Sequence, residues 1–323
     1  STIATRVAQY LNSRGCAMAI DSACSSFMTA FLLAEKMIQS GECEGALVLG
    51  ANIFPTSYTH AIARCAGILS KGDCTKVFDK NADGSLLGEG VVAVYLEGLE
   101  HARKHKKNIY GVIAGGAMNN DGTSLSVMAP NPAGQYDVLK KAYQESGVNV
   151  SDITYIEAHG TGTKIGDPIE LSALQQIFQG LHGENGEEKV PVGSIKSNFG
   201  HLLPCAGGAG LIKVLLCLKN NKLVPSLHVD EVNPLLEKKE FPLRIITEVQ
   251  DWKRPENGCR YAGISSFGIG GTNAHVIIKD APADNREASG QKYYLVAASA
   301  KDEYALSVIQ DRLSDLLQEK EIR

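Results

Sequence analysis

The sequence has no run of about 18 consecutive apolar residues, so no segment reads as a membrane-spanning helix. Charge of one sign is missing too. Lys and Arg number 32 against 36 Asp and Glu, a formal net charge of −4, which argues against a nucleic-acid groove and against attraction to anionic membranes. Cysteine is sparse: eight in 323 residues are too few for a disulfide scaffold. No charged stretch followed by an apolar one opens the chain, so a soluble protein of the reducing cytoplasm is expected. There is no Cys-x-x-Cys and no His-Glu-x-x-His, and Asp79-Lys80-Asn81-Ala82-Asp83-Gly84 fails as a calcium loop because Gly90 stands where the twelfth-position acid belongs. Metal-free chemistry is expected.

What is present is ordinary globular composition, 44% hydrophobic and 21% charged, enriched in glycine at 33 residues. The length suggests about two domains. The opening Ser1-Thr2-Ile3 reads as the middle of a periodic segment, so the chain is expected to be a fragment.

Short Val- and Ile-rich runs alternate with helical patterns, the mark of an α/β protein. The runs are Ala17-Met18-Ala19-Ile20, Ala46 to Leu49, Val91 to Tyr95, Ile109 to Ile113, Ile153 to Ile156 and Val276 to Ile278. They suit strands buried on both faces. Ser25 to Ser40 places Phe27, Met28, Phe31, Leu32 and Ile38 on a helical stripe closed by Gly41. A second helix follows Pro132 and stops at Gly147, and a third is apolar from Leu211 to Leu218. A polar stretch from Asn285 to Gly290 sets a boundary near Ala281, before Tyr293 to Ala297 and an amphipathic helix from Asp302 to Lys320.

Four segments can carry chemistry. In Asp21-Ser22-Ala23-Cys24-Ser25-Ser26-Phe27, Cys24 lies between a strand and a helix start, where the helix dipole and free N–H groups lower a thiol pKa. Glu157-Ala158-His159-Gly160-Thr161-Gly162-Thr163 follows a strand, the edge at which open α/β sheets bind substrates. Lys196-Ser197-Asn198-Phe199-Gly200-His201 precedes the glycine-rich start of an apolar helix. Ser265 to His275 holds Gly268-Ile269-Gly270-Gly271, a turn before a strand. No lysine follows it as a phosphate loop requires, so backbone donors for an oxyanion fit better. Taken singly, a surface turn for His159 and a core position for His201 compete with these roles.

Together and in this order, these segments resemble the β-ketoacyl synthase family, specifically the ketosynthase domains of modular type I polyketide synthases. Phe78-Asp79, Ala82-Asp83-Gly84, Gly88-Glu89-Gly90, Asn119 with Asp121-Gly122, and Gly270 to His275 add to the likeness, which runs from Ser1 to about Asp280.

The resemblance implies a thiolase-like α/β fold of two related halves in five α/β/α/β/α layers, usually homodimeric. Residues 1–108 would be the remainder of the N-terminal half, 109–280 the C-terminal half, and 281–323 a linker and the start of a flanking subdomain. A further N-terminal stretch of the family is absent from this sequence. The implied reaction is a decarboxylative Claisen condensation in polyketide synthesis. Cys24 would take the acyl chain, while His159 and His201 would promote decarboxylation of a malonyl-type extender, supported by Lys196. Backbone N–H groups of Cys24 and Ile269 would form the oxyanion hole. Thr161 and Thr163, with Phe27, Phe267 and Asn273, would meet substrate or phosphopantetheine. No bound cofactor is implied, since substrates arrive on the phosphopantetheine arm of an acyl carrier protein. That carrier and neighbouring synthase modules are the expected partners.

The chain departs from the family pattern at Ser22, usually threonine, and at Phe27, expected to narrow the acyl pocket. Leu202-Leu203-Pro204-Cys205 replaces polar residues and alanines after His201, and Ile269 stands where fatty-acid enzymes often carry a gating phenylalanine. A non-elongating ketosynthase-like domain is the alternative, disfavoured by the presence of His159. A cysteine hydrolase built on Cys24 and His159 ranks last, because no acidic orienter is evident.

Overall fold

The computed structural model describes residues 2–124, 126, 128–181, 189–238, 240–255, 258–282 and 297–318. Helices are α1 (Thr2–Tyr10), α2 (Ser26–Gln39), α3 (Tyr58–Cys65), α4 (Leu99–Lys104), α5 (Pro132–Ser146), α6 (Gly166–Phe178), α7 (Lys196–Phe199), α8 (Ala206–Asn220), α9 (Pro234–Glu237) and α10 (Glu303–Gln318). Strands are β1 (Gly45–Asn52), β2 (Gly90–Glu97), β3 (Val112–Asn120), β4 (Ile153–Glu157), β5 (Val190–Gly193), β6 (Lys222–Leu223), β7 (Leu243–Ile245), β8 (Gln250–Asp251), β9 (Tyr261–Phe267) and β10 (Thr272–Lys279). The chain divides into two units, Ser1–Ala283 and Asp284–Arg323. Helix α10 belongs to the second, and the expected run from Tyr293 to Ala297 lies largely outside the described residues.

In the first unit a six-stranded sheet runs β3-β10-β9-β4-β5-β7. Strand β10 alternates between two cores, as side chains on a pleated strand must: Ala274, Val276 and Ile278 enter one and Ile277 the other. The core of Ile277 is closed by α5 and α6 through Val138, Leu139, Leu171 and Leu174. On the opposite face α2 and α8 supply Phe27, Phe31, Leu211 and Val214, and behind them Val48 and Val92 of the antiparallel pair β1–β2. The layers therefore run helix, sheet, helix, sheet.

Three expectations need correcting. Strands β1 and β2 are buried on one face only; Leu47, Leu49, Val91 and Tyr95 on the other are exposed, and the described residues form no fifth layer over them. Ala17 to Ile20 forms no strand either, because an extended segment becomes a strand only when a ladder partner takes its backbone groups. The ladder of β3 begins at Val112 rather than Ile109.

The helices follow the sequence more closely. In α2 the residues Phe27, Met28, Phe31 and Leu32 are buried, and Gly41 ends the segment at φ +80°, a left-handed conformation that suits glycine. Helix α5 starts with Pro132 inside an Asn131 cap and stops at a left-handed Gly147. By length and composition Leu203–Asn220 is apolar enough to cross a membrane, yet 56% of it is buried in this fold.

Candidate active site

Strands β9, β4 and β5 are parallel neighbours, with Glu157 level with Ile264 on one side and Gly193 on the other. The loops leaving their C-terminal ends therefore converge on one edge of the sheet, where open α/β folds gather ligands. Those loops carry His159 to Thr163, Lys196 to His201, and Gly268 to Gly271. Cys24 reaches the same edge from a single 3₁₀ turn, Ala23–Ser25, ahead of α2. Ser266 at the end of β9 donates a 2.9 Å hydrogen bond to the Cys24 carbonyl.

The cysteine turn is tight. Ala23 sits at φ +54°, a conformation that costs a non-glycine residue about 1–2 kcal/mol. Side chains offset that cost: Ser25 Oγ donates to the Ser22 carbonyl at 2.8 Å, and Ser26 Oγ donates to the Ala23 carbonyl at 2.6 Å and accepts from the Ser22 N–H at 2.9 Å. Ser22 Oγ also pairs with Thr29 Oγ1 at 2.9 Å, so serine anchors the turn at this position. Gly268 is required by close approach, since a Cβ there would lie 2.4 Å from the Ser22 carbonyl oxygen. The thiol of Cys24 is enclosed although the residue keeps part of its surface open. Burial raises its pKa above the ordinary value, opposed by the Lys196 ammonium and by the backbone N–H groups of Ile269 and Cys24. The expected lowering at the helix start is thus outweighed by loss of water.

The histidine rings lie edge to face, centroids 5.5 Å apart at 82°. Burial, reinforced by the Lys196 charge, holds both well below the usual histidine range, so both are neutral at pH 7. His201 Nδ1 accepts the Leu203 N–H at 3.2 Å, which leaves the proton on Nε2 as a donor. Because that partner is backbone, the departure at Leu202 to Cys205 leaves the ring anchored. The segment of His201 is also stitched to the chain before β2: His201 N–H donates to the Leu86 carbonyl at 2.6 Å and Gly88 N–H to the His201 carbonyl at 3.0 Å. His159 Nδ1 is buried with no hydrogen-bond partner.

Lys196 is 3% exposed, and its Nζ donates to the His159 carbonyl. Burial lowers its pKa, against which Glu157, Glu170, Cys24 and Asp167 act in that order. Two of these carboxylates are features that motif reading missed. Glu170 accepts the N–H groups of His159 and Gly160 at 2.7 and 2.8 Å, and Asp167 accepts those of Gly162 and Phe78 at 3.0 and 2.9 Å. Together they fix the His159 loop from below. The signal was legible in Gly166-Asp167-Pro168-Ile169-Glu170, one acid in the first turn of a helix and one just after it, facing a glycine-rich loop.

The remaining sequence candidates separate. Phe267 comes to the site, its ring 5.7 Å from that of His159. Thr161 and Thr163 line the same loop with their hydroxyls paired at 3.1 Å. Ile269, 36% exposed, offers its backbone to Cys24. Asn273 does not meet the pocket: it is 1% exposed and donates to Asn119 and Asp121 at 3.1 and 2.7 Å, anchoring the loop after β3. Phe27 is also a core residue. Its ring fills the space that Gly50 and Gly208 leave, where an added Cβ would come within 2.9 Å of it.

Three family models match, end to end. "Beta-ketoacyl synthase, N-terminal domain" covers residues 1–102, "Beta-ketoacyl synthase, C-terminal domain" residues 110–230, and "Ketoacyl-synthetase C-terminal extension" residues 233–323. The chain belongs to the β-ketoacyl synthase family. Among curated proteins it is 40% identical over 326 residues to polyketide synthase PksN of Bacillus subtilis, covering 97% of this chain and 6% of that protein. It is 38% identical over 313 residues to erythronolide synthase EryA2 of Saccharopolyspora erythraea, covering 93% and 9%. Among solved structures, the ketosynthase from module 6 of the bacillaene synthase of Bacillus subtilis superposes with a TM-score of 0.91 at 36% identity, covering 99% of this chain and 55% of that one. An oxazolomycin ketosynthase domain of Streptomyces albus gives 0.93 at 34% identity, covering 99% and 56%. The chain thus has the thiolase-like α/β fold and is a ketosynthase domain of the modular polyketide synthase type, spanning about half the length of the solved domains it matches.

Proposed function

We propose that this β-ketoacyl synthase chain catalyses decarboxylative Claisen condensation of a Cys24-bound acyl group with a malonyl-type extender carried on an acyl carrier protein. The observation that carries the reading is the pair of neutral imidazoles beside Lys196 at the sheet edge to which Cys24 is tied. In the first half-reaction the Cys24 sulfur attacks the incoming thioester carbonyl, the phosphopantetheine thiol leaves with a proton, and backbone N–H groups of Cys24 and Ile269 hold the oxyanion. In the second, the extender's carboxylate departs as carbon dioxide and its bonding electrons pass to an enolate whose oxygen accepts from the His159 and His201 N–H donors. The enolate carbon then attacks the Cys24 thioester, and the thiolate leaves and regains a proton.

Thr161 and Thr163, at the partly open rim of the His159 loop, are suited to the phosphopantetheine arm, and Phe267 to the wall beside it. Residues 1–108 and 109–280 are on this reading the two halves of the fold, with residues 281–323 leading into a flanking subdomain. A homodimer, neighbouring synthase modules and a cytoplasmic setting belong to the same reading, and the eight free thiols agree with a reducing compartment. A hydrolytic dyad is disfavoured because no group orients His159 through Nδ1.

The test is mass spectrometry of the intact protein with acyl thioesters, followed by carrier-bound malonyl. Wild type should gain the acyl mass, release carbon dioxide and give a β-ketoacyl product. Cys24→Ala should lose the acyl adduct, and His159→Ala and His201→Ala should keep the adduct while losing condensation. An acylated wild type that releases no carbon dioxide would make this a non-elongating domain.

A further inference from the structure

Behind the reacting edge lies a buried charge cluster to which the mechanism assigns no role. Glu157 ends strand β4, two residues before His159, and its side chain is 2% exposed. Lys213, from the middle of α8, is 3% exposed and donates from Nζ to Glu157 Oε2 at 2.7 Å and to Tyr155 Oη at 2.8 Å. Tyr155 Oη donates in turn to Glu157 Oε2 at 2.7 Å, so this oxygen is fully engaged. The other oxygen, Oε1, points to the active-site side and accepts the Ile195 N–H at 2.7 Å. Ile195 caps the short helix that begins with Lys196. One carboxylate therefore touches the structural lysine through one oxygen and the residue beside the active-site lysine through the other.

A buried ion pair is a weak source of stability, because desolvation of both charges offsets their attraction. Its placement asks for another reason. The charged and titratable groups acting on Lys196 are Glu157 from β4, Glu170 and Asp167 from α6, Cys24 from the cysteine turn, and the neutral His159 and His201. Among the acids Glu157 exerts the largest upward pull on Lys196. Glu170 and Asp167 are already committed to backbone N–H groups of the His159 loop, and burial raises their own pKa values to about 7 and about 6. Glu157 is instead held through Oε2 by the Lys213 Nζ and the Tyr155 hydroxyl.

We propose that the Glu157–Lys213 pair is a positioning device for Lys196: the carboxylate holds the main chain at Ile195 and supplies the counter-charge that keeps the Lys196 ammonium on the His159 carbonyl through the decarboxylation half of the reaction. The inference rests on the condensation reading above. Lys213 and Tyr155 act at one remove, by holding Oε2 so that Oε1 stays aimed at Ile195.

The sign of the effect follows. Removing the Glu157 charge lowers the Lys196 pKa, so the ammonium is lost at lower pH. Glu157→Gln retains an acceptor for Ile195 while removing the charge and the acceptor that Lys213 and Tyr155 share. In the intact protein, acylation of Cys24 should stay within about twofold while carbon dioxide release falls about tenfold or more, within the range of a single positioned proton-holding group. The alkaline limb of release should move down by about one pH unit, the lower end of the effect of a neighbouring opposite charge. A second readout needs no condensation: the pH dependence of Cys24 alkylation by iodoacetamide. Removing a negative charge would by itself lower the thiol pKa, whereas loss of the Lys196 proton raises it, and a rise is expected.

Because Glu157→Gln leaves Lys213 buried and unpaired, the double variant Glu157→Gln with Lys213→Met guards against a simple folding defect. It should regain thermal stability, as replaced buried pairs do, and still show the displaced alkaline limb and the raised thiol pKa. A double variant that recovers the wild-type pH profile, or a single variant that loses acylation and condensation equally with no thiol shift, overturns the proposal. If wild type releases no carbon dioxide, the condensation reading fails instead, and the thiol titration still decides the link between Glu157 and Lys196.

Discussion

Phe27 separates two accounts of this site. Read from the motif it narrows the acyl pocket; in the structure it is 1% exposed and packs on Phe31, with Gly50, Gly208 and Cys205 around it. Truncating such a ring removes its burial and leaves a cavity between α2, β1 and α8, at a cost of about 3–5 kcal/mol. At roughly 2 °C per kcal/mol for a unit of this size, the melt of Phe27→Ala should fall by about 6–10 °C. Gly208 gives the control. An added Cβ there would sit 2.8 Å from Val92 and 2.9 Å from the Phe27 ring, so Gly208→Ala alone should overpack the core, costing about 1–3 kcal/mol. With the ring gone only the Val92 contact remains, Val92 has vacated space to shift into, and the methyl adds helix propensity, about 1 kcal/mol. The double variant should therefore be more stable than Phe27→Ala, with a coupling of about 1 kcal/mol or more. The assay pairs thermal melts with mass spectrometry of Cys24 loaded from thioesters of increasing chain length. Unchanged melting with a shift of Phe27→Ala towards longer chains would mean that the ring faces substrate, and the core placement would be wrong.

Three further outcomes are expected. His275 is fully buried, with Ser265 Oγ at 3.0 Å and Tyr143 Oη at 3.2 Å on its two nitrogens, and burial lowers its pKa to about 3. Between that value and about 6.5 the unfolded chain binds a proton that the folded chain refuses, so its share of stability is lost as pH falls, by about 1.4 kcal/mol per unit. The stability gap between wild type and His275→Gln in urea titrations should therefore shrink by about 2 kcal/mol from pH 7 to pH 5, and a gap independent of pH would contradict a buried neutral ring. Glu170→Ala leaves the N–H groups of His159 and Gly160 unpaired, about 1–3 kcal/mol each; carbon dioxide release should fall well below Cys24 acylation, and equal losses would speak against a role specific to His159. Arg260 binds both oxygens of Asp280 and the carbonyls of Trp252 and Leu218, and Arg260→Ala should lower the urea-derived stability by about 3–5 kcal/mol, with little loss if exposed Arg254, 3.2 Å from Asp280, takes over the carboxylate.

The reacting groups were legible because their chemistry is written in local context. A cysteine just ahead of a helix, a histidine in a glycine loop and a lysine five residues before a histidine are short-range patterns, and parallel strands bring such loops to one edge. What was not legible depends on partners far along the chain. Ala17 to Ile20 has strand propensity, but a strand exists only where another backbone receives it. Phe27 looks like a pocket residue beside Cys24, and only Gly208 on α8 reveals the core space it fills. The thiol of Cys24 shows the same limit for electrostatics. Helix position argues for a lowered pKa, whereas burial by β9 and the histidine loops raises it, and a neighbouring ammonium must then be kept charged to oppose that rise. The acids that do so, Glu157 and Glu170, are a strand terminus and the fifth residue of a helix in the sequence; only the fold turns them into the surroundings of Lys196. Motifs thus name the atoms that react, and the long-range packing of unremarked carboxylates sets the charge state in which they can.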